Sequence, residues 1–289
     1  MNSPVRKTVN MAQGAVSCLE WQTSGPPLHF AHANGFNAET YRGLLQPLSD
    51  RFHVFASDAR GHGFTTLPAT PGLPKGWKIF RDDLSKLIER LGAPMILAGH
   101  SMGATASVMV AAMNPSLVRG LILAEPVFVP AWQWRVANFM RRVGLKEKVP
   151  DLATRAEKRR AIFDSFEAAE NAYRGRGAFK SWPHETVQDY LKGGLLPTDD
   201  GRVRLACAPS WEAEDFRETP LNVPRLGRFI KCPVTIIHGE GGTCRDEEAA
   251  QFARGHGNTR VVKIAGASHF LPMEHPEIVR EEIIRQNCG

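Results

Sequence analysis

The stretch Met95-Ile-Leu-Ala-Gly-His-Ser-Met-Gly-Ala104 carries residues suited to covalent chemistry. An apolar run leads into Gly99-His-Ser-Met-Gly103, and a helix of small residues follows directly. This is G-x-S-x-G in the strand–turn–helix context that the motif requires. A serine at the apex of so tight a turn takes a strained conformation. Side chains two residues before and after it would collide with the adjoining strand and helix, and Gly99 and Gly103 remove that collision. Ser101 is then held above the sheet edge, where the N-terminus of the next helix favours developing negative charge. A chance pentapeptide in a loop would lack the flanking strand and helix.

A serine hydroxyl needs a base to become a nucleophile. Of the ten histidines, His269 follows the last strand pattern in Val261-Val-Lys-Ile-Ala-Gly-Ala-Ser-His269-Phe. Small residues precede it, and it lies C-terminal to Ser101, as the chain order serine, acid, histidine demands. His256 and His275 are its nearest rivals. A tetrahedral intermediate also needs two backbone N–H donors. Met102, directly after the serine, is one candidate. The turn Leu28-His-Phe-Ala-His32-Ala-Asn34-Gly35-Phe36 offers the other, placed at Asn34; the plainer reading is an ordinary Asn-Gly turn.

The elements that must position these groups alternate. Strand patterns fall at 15–22, 28–32, 53–57, 95–99, 121–124, 234–238 and 260–264, with helical patterns at 39–48, 77–91, 102–113, 247–254 and 276–286. Several strand runs are continuously apolar, as strands buried on both faces should be. The alternation predicts an α/β fold with a mainly parallel sheet and helices on both faces. It stops between Val127 and Arg228, about 100 residues rich in Arg, Glu, Ala and Trp with no convincing strand. That stretch reads as a helical lid, residues 127–228, inserted into a core of residues 1–126 and 229–289.

These segments resemble the α/β-hydrolase superfamily from about residue 15 to 286. The resemblance rests on the His32 turn, Asp58-Ala-Arg-Gly-His-Gly63, the Gly99–Gly103 elbow and Ala267-Ser-His269-Phe-Leu-Pro-Met-Glu274. It implies an eight-stranded, mostly parallel sheet with a cap after the sixth strand, and gives Asp58–Gly63 a structural role beside the elbow. It also exposes a departure. Such hydrolases usually carry an aspartate three residues after the glycine that ends the seventh strand; here Gly239 is followed by Glu240-Gly241-Gly242, and Gly242 holds that position. The imidazole still needs a carboxylate to fix its tautomer. Glu125, at the end of the sixth strand, is the first candidate, because some haloalkane dehalogenases of this superfamily take their acid there. Asp246 is the second and Glu240 the third. An acid before Pro126 could also simply anchor the cap.

The expectation is a serine hydrolase of carboxylesterase type acting on a small-molecule ester, with Ser101, His269 and Glu125 as catalytic residues and Asn34 and Met102 holding the oxyanion. Lactones, thioesters and carbon–carbon bonds remain open to the same machinery. A non-catalytic ligand-binding protein on the same fold is the alternative from another class. A serine nucleophile argues against epoxide hydrolysis and dehalogenation, which in this superfamily use aspartate. Trp132, Trp134, Trp182 and Trp211 fall in the inserted stretch and would line an acyl pocket or form the cap's own core.

Composition narrows the classes. Of 289 residues, 43% are hydrophobic and 23% charged, which suits a globular chain rather than a disordered or fibrous one. The net charge of +6 is spread thinly, and its densest run, Arg141 to Arg160, reads as a solvated helix face rather than a nucleic-acid stripe. Five widely spaced cysteines without a CxxC argue against a disulfide scaffold or structural zinc. No metal site or cofactor is expected, and no HExxH or phosphate cradle is present. The N-terminus lacks an apolar signal-peptide core and no apolar run reaches membrane-spanning length, so a cytoplasmic location is expected.

Overall fold

The computed structural model describes residues 3–73, 76–130, 132–133, 135–136, 139, 151–220 and 222–287. Its central sheet has eight strands: β1 (Val5–Met11), β2 (Gly14–Trp21), β3 (Pro27–Ala31), β4 (His53–Ser57), β5 (Met95–His100), β6 (Val118–Ala124), β10 (Val234–Gly241) and β11 (Thr259–Ser268). Their order is β1-β2-β4-β3-β5-β6-β10-β11. The β1–β2 and β2–β4 pairs are antiparallel and the others parallel.

Side chains alternate across a strand, so each central strand supplies both faces. On β5, Ile96 and Ala98 join one hydrophobic cluster while Met95 and Leu97 join the other. On β6, Ile122 and Ala124 face the first and Leu121 and Leu123 the second. Helix α1 (Arg42–Leu45) and helix α10 (Pro276–Asn287) cover the first face through Leu44, Leu45, Val279 and Ile283. Helices α2 (Lys78–Arg90), α3 (Met102–Met113) and α8 (Asp246–Gly255) cover the second through Leu84, Ile88, Val108 and Phe252. Each such side chain, fully buried, contributes about 1.5–3 kcal/mol relative to exposure.

Two features depart from expectation. The N-terminal β1 is a polar, half-exposed edge strand, so it lacks the apolar run by which the others are recognised. The stretch between β6 and β10, expected to hold no strand, contains a three-stranded sheet of order β7-β9-β8: β7 (Ile162–Phe163), β8 (Leu195–Pro197) and β9 (Val203–Leu205). Runs of two or three residues are too short to show a period. Around it lie α4 (Asp151–Glu157), α5 (Phe166–Tyr173), α6 (His184–Gly194) and α7 (Pro209–Arg217). Phe163, Trp182, Tyr190 and Leu205 from this segment continue the first cluster, and Trp211 continues the second. Trp132 is 63% exposed and belongs to neither, and Trp134 lies outside the described residues. A short α9 (Leu271–Glu274) links β11 to α10. No described helix is long and apolar enough to cross a membrane.

The elbow depends on close backbone approach. A Cβ on Gly99 would stand 2.7 Å from the Ala104 nitrogen, and one on Gly103 would stand 2.6 Å from the His32 oxygen and closer still to that of Ala31. Both obstacles are backbone, so neither yields cheaply. Gly103→Ala is therefore expected to lower unfolding stability by at least about 2 kcal/mol, the upper range for overpacking, measured by urea denaturation. A loss within about 0.5 kcal/mol, as on a free surface, would show that α3 does not press against the end of β3.

Candidate active site

Ser101 sits between β5 and α3 with φ 53° and ψ −113°. A non-glycine residue at positive φ is costly, by about 1–3 kcal/mol, and persists only where the surroundings enforce it. Here its N–H donates to the Ala124 oxygen at 3.0 Å, which extends the β5–β6 ladder through the turn. One strand over, Glu125 repeats the arrangement, with φ 49° and its N–H donating to the Ile237 oxygen at 2.8 Å. Two adjacent parallel strands thus end in left-handed residues, each pinned by the next strand's carbonyl.

The structure brings Ser101, His269 and Glu125 into one hydrogen-bonded line. His269 Nε2 is 3.1 Å from Ser101 Oγ, and Nδ1 is 3.2 Å from Glu125 Oε2. A carboxylate only accepts, so Nδ1 carries the proton and Nε2 presents its lone pair to the serine hydroxyl. Thr243 also enters the line. Its Oγ1 lies 2.9 Å from His269 Nδ1 and 3.3 Å from Glu125 Oε2, so it accepts from the imidazole and donates to the carboxylate.

Glu125 has no exposed surface. Its Oε1 accepts from Gly239 N–H at 2.6 Å, and its Oε2 from Thr243 N–H at 2.7 Å and Cys244 N–H at 3.2 Å. Burial pushes its pKa up, but the hydrogen bonds from His269 and these amides outweigh it, and the carboxyl titrates below its usual range. The glycine at position 242 follows from the same packing. A Cβ there would stand 2.5 Å from Glu125 Oε2 and closer still to Oε1. The glutamate fills the space that a side chain at the familiar acid position would use. Asp246, the second candidate acid, is instead exposed at the start of α8, with its carboxylate 2.6 Å from Lys263 Nζ. Glu240 Oε2 accepts from Gly266 N–H at 3.1 Å.

The turn after β3 lies against the elbow. Ala33 N–H donates to Tyr41 Oη at 3.1 Å, and Gly35 N–H donates to His62 Nε2 at 3.0 Å. The Asn34 side chain donates to the Glu212 oxygen at 3.0 Å. The backbone N–H of Asn34 has no acceptor among the described residues, and that of Met102, first in α3, has no intrahelical one. Both predicted oxyanion donors are therefore unspent.

A buried relay joins this turn to the histidine loop. His100 Nε2 is 2.8 Å from the His269 carbonyl, which can only accept, and His100 Nδ1 is 2.8 Å from Tyr41 Oη. Burial, reinforced by His269, holds the His100 pKa well below the usual histidine range. The neutral ring donates through Nε2 and accepts the Tyr41 proton at Nδ1. Tyr41, in turn, receives the Ala33 N–H. Sequence reading did not single out Tyr41, His100 or Thr243. His100 stands inside the serine motif and Thr243 directly follows the glycine at the vacant acid position, but neither has a local pattern that betrays its partner.

Residues 26–276 match the family described as the alpha/beta hydrolase fold. The 2-(acetamidomethylene)succinate hydrolase of Mesorhizobium japonicum is 30% identical over 264 residues, covering 90% of this chain and 87% of the relative. The 3-oxoadipate enol-lactonase 2 of Acinetobacter baylyi is 25% identical over 263 residues, covering 89% and 86%. A crystal structure of E-2-(acetamidomethylene)succinate hydrolase superposes with a TM-score of 0.80 at 27% identity, covering 99% of this chain and 100% of that one.

The electrostatics of Glu125 lead to a pH test. Its carboxyl titrates below the ordinary 4.5 in the folded state, so its contribution to stability is complete above that value and lost as the pH falls through the lower folded value. The melting-temperature gap between wild type and Glu125→Gln is expected to hold near neutrality and to shrink below about pH 4.5. A gap that widens with acid would overturn the assignment of Glu125 as an ionised acceptor.

Proposed function

We propose that this chain, which belongs to the alpha/beta hydrolase fold family, is a serine hydrolase that cleaves small carboxylic esters through an acyl-enzyme on Ser101. The observation that carries this reading is the continuous line from Ser101 Oγ through His269 to the buried Glu125. Ser101 Oγ attacks the ester carbonyl while His269 Nε2 takes its proton. The new C–O bond leaves a tetrahedral oxyanion, to which the N–H groups of Asn34 and Met102 donate. Glu125 and Thr243 hold the Nδ1–H tautomer and stabilise the imidazolium. Collapse of the intermediate breaks the bond to the alcohol, which leaves with the proton from His269. A water then repeats the sequence on the acyl-enzyme, releasing the acid and restoring Ser101.

Residues 127–228 are read as a cap over this site. Trp182 lies with its ring centroid 5.3 Å from Phe36, beside the oxyanion turn, and 5.7 Å from Phe270, beside His269. A second reading has a specific basis in the relatives. One is a hydrolase whose substrate name carries an acetamido group and another is an enol-lactonase. Acyl transfer from an amide-type or lactone carbonyl uses the same nucleophile and oxyanion donors.

The test is a set of three variants assayed on short-chain esters, with a fluorophosphonate probe alongside. Ser101→Ala is expected to keep its circular dichroism spectrum, lose labelling and lose turnover by about 10⁴- to 10⁶-fold. Glu125→Gln should lose about 10⁴-fold in kcat, whereas Asp246→Asn, which removes a surface pair with Lys263 and a 3.5 Å contact with His238, should stay within about twofold. Substantial activity in Ser101→Ala, or absence of labelling in wild type, would favour a ligand-binding protein on this fold instead.

A further inference from the structure

Beside the oxyanion turn is a second constellation that the reaction above does not use. Arg159, in the turn after α4, places a largely buried guanidinium against Gly35. Its Nη1 pairs with Glu212 of α7, and its Nη2 donates to Tyr173 Oη at 3.0 Å and Tyr190 Oη at 2.8 Å. Arg159 and Tyr190 border about 210 Å³ of space, part of it open to solvent, lined also by Gly35, Phe36, Leu205 and Cys207. The wall therefore adjoins the turn that would hold the reacting carbonyl.

Hydrogen-bond accounting shows what the space lacks. Each tyrosine oxygen accepts from Arg159, so each still has an O–H hydrogen to give. Neither finds an acceptor among the described residues, although Tyr190 is only 2% exposed. Trp182, 7% exposed and packed edge-on to Phe36, likewise has an indole N–H without an acceptor. Buried donors left unpaired cost about 1–3 kcal/mol each and call for an explanation. Here two stand close together, with Tyr190 and Trp182 rings 6.1 Å apart. The missing partner is a group that only accepts.

We infer that Arg159 and Tyr190 form a subsite for a carboxylate carried by the substrate, so that the preferred esters are half-esters of short dicarboxylic acids. A carboxylate offers about four lone-pair sites and no donor, which matches an unspent Tyr190 hydroxyl hydrogen held beside the Arg159 positive charge. Glu212 pairs with Nη1 and compensates the guanidinium charge while the subsite is empty; the two tyrosines take both hydrogens of Nη2, so it is the Tyr190 hydroxyl that passes a hydrogen bond on to a ligand. Asp215, in the same helix as Glu212, is driven by burial and by Glu212 to titrate well above the carboxylate range, so it adds no negative charge nearby. His62, which supports Gly35, is lowered by burial and by His32 to about 3 and stays neutral.

This inference rests on the reading of Ser101 as the nucleophile, and the experiment separates the two. Methanol release is measured from monomethyl succinate and from methyl butyrate, which differ in little but the distal carboxylate. The same preparations are labelled with a neutral fluorophosphonate. Wild type is expected to prefer the succinate half-ester by at least about tenfold in kcat/KM, as a charge-assisted hydrogen bond implies. Tyr190→Phe, which removes one hydroxyl without changing shape, should reduce that ratio about tenfold, chiefly through the KM of the half-ester. Arg159→Lys, which keeps the charge opposite Glu212 but loses the planar fork, should reduce it as well. A wild-type ratio near one or below, or a ratio unmoved in both variants, overturns the subsite while labelling of Ser101 leaves the hydrolase reading intact. If Ser101 is neither labelled nor active on either ester, both fall together.

Discussion

A carboxylate with no solvent exposure must find every hydrogen bond inside the protein, and Glu125 is such a group. Desolvating it costs several kcal/mol unless charge-assisted donors surround it. Three backbone N–H groups, one from the end of β10 and two from the loop after it, the Thr243 hydroxyl and the His269 ring meet that requirement. Much of the local sequence then follows. Gly242 must be a glycine because the carboxylate fills the volume of its missing side chain. Gly239 must let β11 come close, since a Cβ there would stand 2.9 Å from the Ser268 oxygen, one residue before His269. The loop after β10 thus cradles the Glu125 carboxylate. A glutamate, one methylene longer than aspartate, suits an acid that starts one strand further away.

The same region depends on backbone held in an unfavourable conformation. Ser101 and Glu125 both take positive φ at the ends of neighbouring parallel strands, a combined strain of about 2–6 kcal/mol. Each is held because its N–H continues the ladder into the next strand, at Ala124 and Ile237. The sheet is therefore the clamp for both side chains, and their spacing is set by the strand spacing rather than by loop packing. The His269 loop lacks such a clamp, and the relay through His100 and Tyr41 supplies one, tying the histidine's own carbonyl to the Ala33 amide. The His269 loop and the turn after β3 then share a single buried support.

What was legible in the sequence was whatever depends on neighbours along the chain. The elbow could be read because Gly99 and Gly103 flank Ser101 at fixed offsets between an apolar strand and a small-residue helix. The alternation of strands and helices foretold the parallel sheet. Glu125 could be proposed only because Gly242 left a gap, an argument by vacancy rather than by pattern. The partners brought in from afar left no such trace. Thr243 bonds a residue 118 positions away and Tyr41 one 59 positions away. The polar edge strand β1 and the three-stranded sheet of the inserted segment escaped because neither has an apolar period long enough to detect.

The inserted segment also grips the turn after β3. Asn34 donates its side-chain amide to the Glu212 carbonyl of α7, and Asn37 donates its own to the Tyr190 carbonyl of α6. At the end of α6, a Cβ on Gly193 would stand 2.9 Å from the Glu39 side chain, so that helix meets the turn at backbone distance. On the proposed reading, the elements that would face a substrate's distal end are the ones that fix the amide meant for its reacting carbonyl. Binding at one end and orientation at the other are then mechanically coupled. In such an arrangement a well-fitting distal group improves the transition state and not merely the bound ground state, which is the condition under which binding energy raises turnover.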